Sequence, residues 1–354
     1  MKPTMTLNRK RLFWLASLGV LGALSVLSYY LLWPRFLLNQ AESAIAADDL
    51  NEAETRLRRL LSRSSKNARA HFLLAQVLRR VHHPEQAEES LRKALQLGYP
   101  EKEGERELAL DEAAIHFRPP VALTLQKLLK KNPNDLDLLE ALARGYASNR
   151  DWTQAEVYFT RLIECQPDET NWYWERGQAR QEAAFETGEG HGRAAADFRE
   201  TIQRAPNHLD ARLRLAQCLL SNAQMNEAKE ELLRCRQLDP KRAEPLIGLA
   251  NCALEEQDWD LANKLLAEAL ELKWNSQVAL AMKGDLHLLR QQPTEAIPYF
   301  QKVLVLDPMN KAAHLKLAQA YRSSGRLNEA KNQEAAFERI RSNEERQAKN
   351  QARP

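Results

Sequence analysis

Seven polar side chains recur at one place in a repeated local pattern: Gln76, Arg144, Gln178, Gln217, Asn251, Asp285 and Gln319. Each directly follows a small residue: Ala75, Ala143, Gly177, Ala216, Ala250, Gly284 or Ala318. Five of the seven are amides and none is apolar. An amide offers a donor and an acceptor together, as the backbone of an extended peptide requires. Phe72, Arg79, Arg80, Trp174, Gln181, Asp210 and Glu244 are neighbouring candidates. Arg79 and Arg80 would make a basic pocket, while Glu244 and Asp285 make the other half more acidic. An exposed Trp174 or Trp172 would serve as an anchor, tryptophan being enriched at binding hot spots. The competing reading is that the ladder is only the solvated face of its segments.

No catalytic constellation accompanies it. His71, His82, His83, His116, His191, His208, His287 and His314 are scattered, and no G-x-S-x-G, phosphate loop or H-E-x-x-H occurs. Cys165, Cys218, Cys235 and Cys252 form no C-x-x-C pair, so no zinc or dithiol motif is indicated. Buried free thiols behave as small hydrophobes, although a Cys218–Cys235 disulfide would be open to an extracytoplasmic chain. The net charge of +3 carries no nucleic-acid footprint. We expect a non-catalytic chain with no cofactor and no metal.

The elements that position the ladder are helices. Across 354 residues, 44% hydrophobic and 28% charged, there are only 12 glycines. Alanine, leucine, glutamate, arginine and glutamine dominate, all helix formers, so the expected class is all-α. Ala53, Ala87, Ala122, Ala155, Ala194, Ala228, Ala262, Ala296 and Ala330 recur at steps of 34, 35, 33, 39, 34, 34, 34 and 34. A fixed period in this range marks stacked supersecondary units. Each unit holds two apolar-periodic segments, hence two antiparallel helices.

The spacing resembles the tetratricopeptide repeat. Leu142, Ala143, Tyr146, Ala155, Phe159 and Pro167 carry the likeness in the fourth unit; Gly284, Ala296, Phe300 and Pro308 carry it in the eighth; Leu317, Ala318, Tyr321 and Ala330 in the ninth. The resemblance implies a right-handed superhelical solenoid of about nine helix–turn–helix repeats over residues 34–344. Its concave face would be lined by first helices. In peptide-binding members of that family an amide near the ladder register holds the ligand backbone. The third unit, about 102–135, lacks most signature residues, and Pro119 and Pro120 are expected to open its second helix. The fifth carries an insertion over 185–193, read as a longer loop between its helices. Phe337 and Ile340 are expected to cap the array, and 345–354 to form a charged, frayed tail.

The amino terminus is a different material. Residues 1–11 are short and basic. The next 22, Leu12 to Trp33, hold no charge and are long enough to cross a hydrocarbon core of about 30 Å. Tyr29, Tyr30 and Trp33 stand at the far end, where amphipathic rings favour headgroups. Lys2, Arg9, Lys10 and Arg11 precede the segment, and of the next twenty residues only Arg35 is basic. That bias puts the amino terminus in the cytoplasm and the body outside it, in the periplasm of a diderm bacterium; a cytoplasmic body is the alternative. A cleaved signal peptide is the alternative to a span. The apolar run exceeds the roughly 7–15 residues of a signal core, and no small-x-small site directly follows.

The expected function is a single-pass, membrane-anchored scaffold binding a protein or peptide, not nucleic acid, through the concave face. The alternatives are an accessory subunit of a membrane enzyme or export complex, or a secreted soluble repeat protein.

Overall fold

The computed structural model describes residues 32–351, and among these every regular element is an α-helix. Two compact units divide the chain at Cys165. The first holds four helix pairs: α1 (32–46) with α2 (Leu50–Arg63), α3 (Ala68–Arg80) with α4 (Pro84–Gln96), α5 (Glu101–Ile115) with α6 (Pro119–Lys131), and α7 (Leu136–Ser148) with α8 (Trp152–Cys165). The second holds five: α9 (Thr170–Thr187) with α10 (His191–Arg204), α11 (Leu209–Ser221) with α12 (Met225–Leu238), α13 (Glu244–Glu255) with α14 (Trp259–Leu272), α15 (Gln277–Leu289) with α16 (Pro293–Leu306), and α17 (Lys311–Ser323) with α18 (Leu327–Gln351).

Local sequence sets the boundaries. Asp135, Ser276 and Asn310 cap α7, α15 and α17, each side chain accepting a backbone N–H from the first turn. Such a cap supplies one of the acceptors that a helix start lacks. Pro84, Pro119 and Pro293 open α4, α6 and α16, where a missing N–H costs nothing. The turn inside most pairs needs one residue at positive φ. Asp48, His82, Arg150, Ala223, Gln257 and Gln291 take it at φ between 58° and 62°, and Gly325 takes it in the last pair at 79°. Helices ending this way return their last carbonyls to the following N–H groups.

The recurring alanines are buried in every pair, none more than 5% exposed. They let the first helix approach the second. Gly284 does so from the other side: a Cβ there would lie 2.6 Å from Cζ of Phe300. Phe159, Phe198 and Phe300 are fully buried fillers. The first unit's core joins Leu37 and Ala41 of α1 to Leu57 and Leu60 of α2 and Phe72 and Leu74 of α3. In the second, Leu213, Leu246, Leu249 and Leu266 belong to one cluster running from α11 to α15.

Two local readings differ from the structure. The fifth unit's extra residues lengthen a helix and not a loop: α9 has 18 residues where α11 has 13. Gln181 to Ala184 are good helix formers, and the helix stops only at Gly188, in the left-handed region at φ 77°. The carboxyl-terminal segment is helical as far as Gln351, with Arg341 paired to Glu338 and Glu345 along one face. Ile340 is buried beneath it. The proposed span, Leu12 to Trp33, lies outside the described residues except for Leu32 and Trp33. Among the described residues no helix is long and apolar enough to cross a membrane.

Candidate functional site

In the first unit, α3, α5 and α7, together with the α1–α2 and α3–α4 turns, line an open cleft of about 650 Å³. Arg79, Arg80 and His82 form one wall, and Asp137, Glu140 and Arg144 of α7 form the other. Its floor is made of small residues, Ala113, Ala114, Ala141 and Gly145. All three arginines singled out in the sequence therefore meet at one place. Arg80 and Arg144 are exposed at the rim, and Arg144 reaches Glu140 at 3.0 Å.

Arg79 is not a free cation. Its guanidinium lies 3.0 Å from Glu107, 3.7 Å from Asp111 and 3.6 Å from Asp137. Gln76 donates to Glu107 at 3.2 Å, so this rung is also engaged. Arg106 completes the group, with contacts to Glu107 at 2.5 Å and to Asp135 and Asp137 at 2.7 Å each. Burial opposes the charge on Arg106, but the hydrogen bonds to Asp135 and Asp137 outweigh it and raise its pKa above the ordinary value. Burial also disfavours the charged Asp135, yet Arg106 and two backbone N–H groups hold it below the usual carboxylate range.

Asp111 was missed as a rung. The third unit has Leu110 where the others carry alanine or glycine, so the small residue that marks the ladder is absent. Counting eleven residues back from Ala122 finds it, as the same count from Ala87 finds Gln76. Asp111 is 1% exposed. Burial, aided by Glu107 and Glu88 and opposed by Arg79, pushes its pKa up to about 7.

In the second unit the rungs Gln178, Gln217, Asn251, Asp285 and Gln319 stand on α9, α11, α13, α15 and α17. Gln217 and Gln319 are exposed; Gln178, Asn251 and Asp285 are half-buried. Polar bridges link neighbouring helix pairs, from the first helices or from the turns that lead into them. Arg214 donates to Gln181 at 2.6 Å, and Gln181 donates to Gln217 at 3.4 Å. Arg242 pairs with Asp210 at 2.7 Å, Lys273 with Glu244 at 3.8 Å and Lys316 with Asp285 at 2.9 Å. Trp174 packs against Phe198 and His208, with Arg214 over its ring at 5.6 Å. Trp172 is core and donates to Gln166, so it is no exposed anchor. Gln181 and Phe72 are likewise buried, Phe72 stacking on Tyr99.

His287 stacks on Tyr299 and contacts Gln292. Cys218, Cys235 and Cys252 are free and buried. Among the described residues no three His, Cys, Asp or Glu side chains converge as a metal site.

The paired helices, their period and their buried alanines match a known pattern. Residues 38–100 fit one tetratricopeptide repeat family model, and residues 191–236 and 287–335 fit another. Those three stretches carry tetratricopeptide repeats. Among curated proteins, mouse (Mus musculus) Superkiller complex protein 3 is similar, 26% identical over 204 residues. That match covers 53% of this chain and about an eighth of the relative, 12% of its length. Among solved structures, Pseudomonas aeruginosa pilF is 17% identical with a TM-score of 0.48, covering 58% of this chain and 91% of that one. YrrB, described as a tetratricopeptide repeat protein with an unusual peptide-binding site, is 18% identical with a TM-score of 0.41, covering 54% and 96%.

Proposed function

We propose that this tetratricopeptide repeat chain is a non-catalytic scaffold that binds a protein or an extended peptide on its first helices. Residues 12–33 would anchor it in a membrane, with the repeat body on the extracytoplasmic side. The observation that carries the reading is the row of polar rungs on consecutive first helices, Gln217, Asn251, Asp285 and Gln319 in the second unit. Gln217 and Gln319 are exposed there, and the Gln217 amide N–H groups and the Gln319 amide could meet a ligand backbone, while Gln217 Oε1 already accepts from Gln181. Repeat arrays use such a surface because each helix pair adds one more rung to a preformed groove. Tethering to a bilayer would raise the local concentration of what is recruited.

The test is capture by crosslinking in cells, comparing the wild type with the combined variant Gln217→Ala, Asn251→Ala, Asp285→Lys. The Asp285–Lys316 pair is partly solvent-exposed, so its loss costs no more than about 1 kcal/mol. The variant should fold with unchanged circular dichroism and lose most of a defined crosslinked partner. An unchanged crosslinking pattern rejects the ladder. Protease protection of tags at either end reads the orientation separately.

A further inference from the structure

Charge is unevenly divided along α2. Through the middle of the helix the charges are paired: Arg56 lies 2.5 Å from Glu52 and Arg58 2.9 Å from Glu54, each four residues back. In its second half the same spacing gives Arg59 a threonine and Arg63 an arginine. No acidic residue occurs from Thr55 to Pro84, and Glu42 is the first in the whole chain. Arg35, Arg59, Arg63 and Lys66 are exposed, and none has a carboxylate partner among the described residues. A helix C-terminus favours one basic residue in its last turn. That accounts for Arg63 and not for the other three.

Folding brings these charges to one end of one helix pair. Ala53, Leu57 and Leu60 of α2 pack with Leu37, Ala41 and Ala44 of α1 in the same core, and α2 runs back along α1. The guanidinium of Arg63 thereby sits 4.6 Å over the ring of Trp33. Trp33 is the last residue of the apolar segment. Beside it, Leu32 and Phe36 are 60% and 58% exposed. The surface at this end is thus basic, with an aromatic and apolar rim, where the chain leaves residues 12–33.

We propose that Arg35, Arg59, Arg63 and Lys66, with Leu32 and Phe36, form a collar that binds anionic phospholipid headgroups. The inference rests on reading residues 12–33 as a bilayer span. A guanidinium matches a phosphate with two parallel N–H donors, and an ammonium adds a point charge. Basic residues beside a span are drawn to anionic lipid over about one Debye length. The collar sets how the first helix pair rests on the membrane, which the span alone leaves free.

The test uses the full chain in nanodiscs of phosphatidylcholine alone, or of phosphatidylcholine with one quarter phosphatidylglycerol. Amide hydrogen exchange of residues 59–67 should slow at least about threefold with the anionic lipid and recover in high salt. The variant Arg59→Gln, Arg63→Gln, Lys66→Gln should lose the effect, and Arg144→Gln should keep it. Equal exchange in the two bilayers overturns the proposal. Alkaline extraction reads the anchor independently. A chain that stays in the bilayer but ignores phosphatidylglycerol sinks the collar and leaves the anchor. A chain that is extracted yet slowed by phosphatidylglycerol sinks the anchor and leaves the collar.

Discussion

Arg79 Nε lies 3.7 Å from Asp111 Oδ1, yet neither oxygen of Asp111 accepts a hydrogen bond. The carboxylate is buried beside Arg79 of α3, with Glu107 of α5 and Glu88 of α4 near enough to oppose its charge. Arg79 is shared by Glu107, Asp111 and Asp137, Arg106 adds contacts to Glu107 and Asp137, and Glu107 takes the best contact with Arg79. Asp111 is the member left over, and burial makes its proton hard to lose.

That arrangement gives a signed pH dependence. Folded Asp111 titrates at about 7, above its ordinary 3.8. Between these values the folded chain holds a proton that the unfolded chain releases. Stability is therefore highest at the acidic end of that window, falls as pH rises through it, and levels off above 7. Asp111→Asn should flatten the slope and stabilise the first unit at pH 8 by roughly 2–4 kcal/mol. Urea unfolding at pH 5, 7 and 8, followed by circular dichroism, checks this; identical slopes for wild type and variant reject it.

Gly284 is fixed by its neighbour. The added Cβ of Gly284→Ala would meet three ring carbons of Phe300 at 2.6 to 2.9 Å. A buried ring cannot swing aside, so crowding outweighs the gain of about 1 kcal/mol in helix propensity. The net loss should be about 1–3 kcal/mol, partly relieved by Phe300→Leu. A melting temperature at or above that of the wild type would show that the pair is looser than described.

Glycine should help where the turn is left-handed. Ala223, Gln257 and Gln291 sit at φ 59°, 61° and 58°. A side chain there costs about 1–2 kcal/mol, against a smaller entropic cost for glycine in the unfolded chain. Each change to glycine should stabilise by roughly 0.5–1 kcal/mol. Gly325→Ala in the last pair should do the reverse, at φ 79°. Calorimetry of the four single variants gives the sign in each case.

The buried thiols should be inert. Burial pushes Cys218 and Cys235 up to about 11 and raises Cys252 as well. At pH 8 few of these groups are thiolates, and they are shielded from reagents. Alkylation of the native chain should label Cys165, which is half-buried, well before the other three. Mass spectrometry of tryptic peptides reads the order, and rapid native labelling of Cys218 would contradict the packing.

The architecture was legible because one spacing recurs. Nine alanines at a near-constant period located the nine helix pairs among the described residues, and Pro119 marked a helix start by its own chemistry. The site was legible only in part. Arg79 and Arg80 are visible as adjacent charges, but Arg79 is occupied by acids 28, 32 and 58 residues further on. Such pairing depends on how consecutive first helices stack, which no local pattern encodes. Asp111 was hidden for a narrower reason: its marker is replaced by Leu110. The lengthened α9 was misread because glycines at 188 and 190 suggest a loop, although Gly188 only ends a helix that had already absorbed the extra residues and Gly190 caps the start of the next.

The growth of α9 occurs after Gln178, at the end remote from its amino terminus. Five residues of helix add about 7.5 Å of length. Nothing upstream changes phase, because a helix extended at one end keeps the angular position of every earlier side chain. The rung on that helix is thus insulated from insertion at its far end. A chain built this way can vary in outline from one unit to the next while its lettering stays in line.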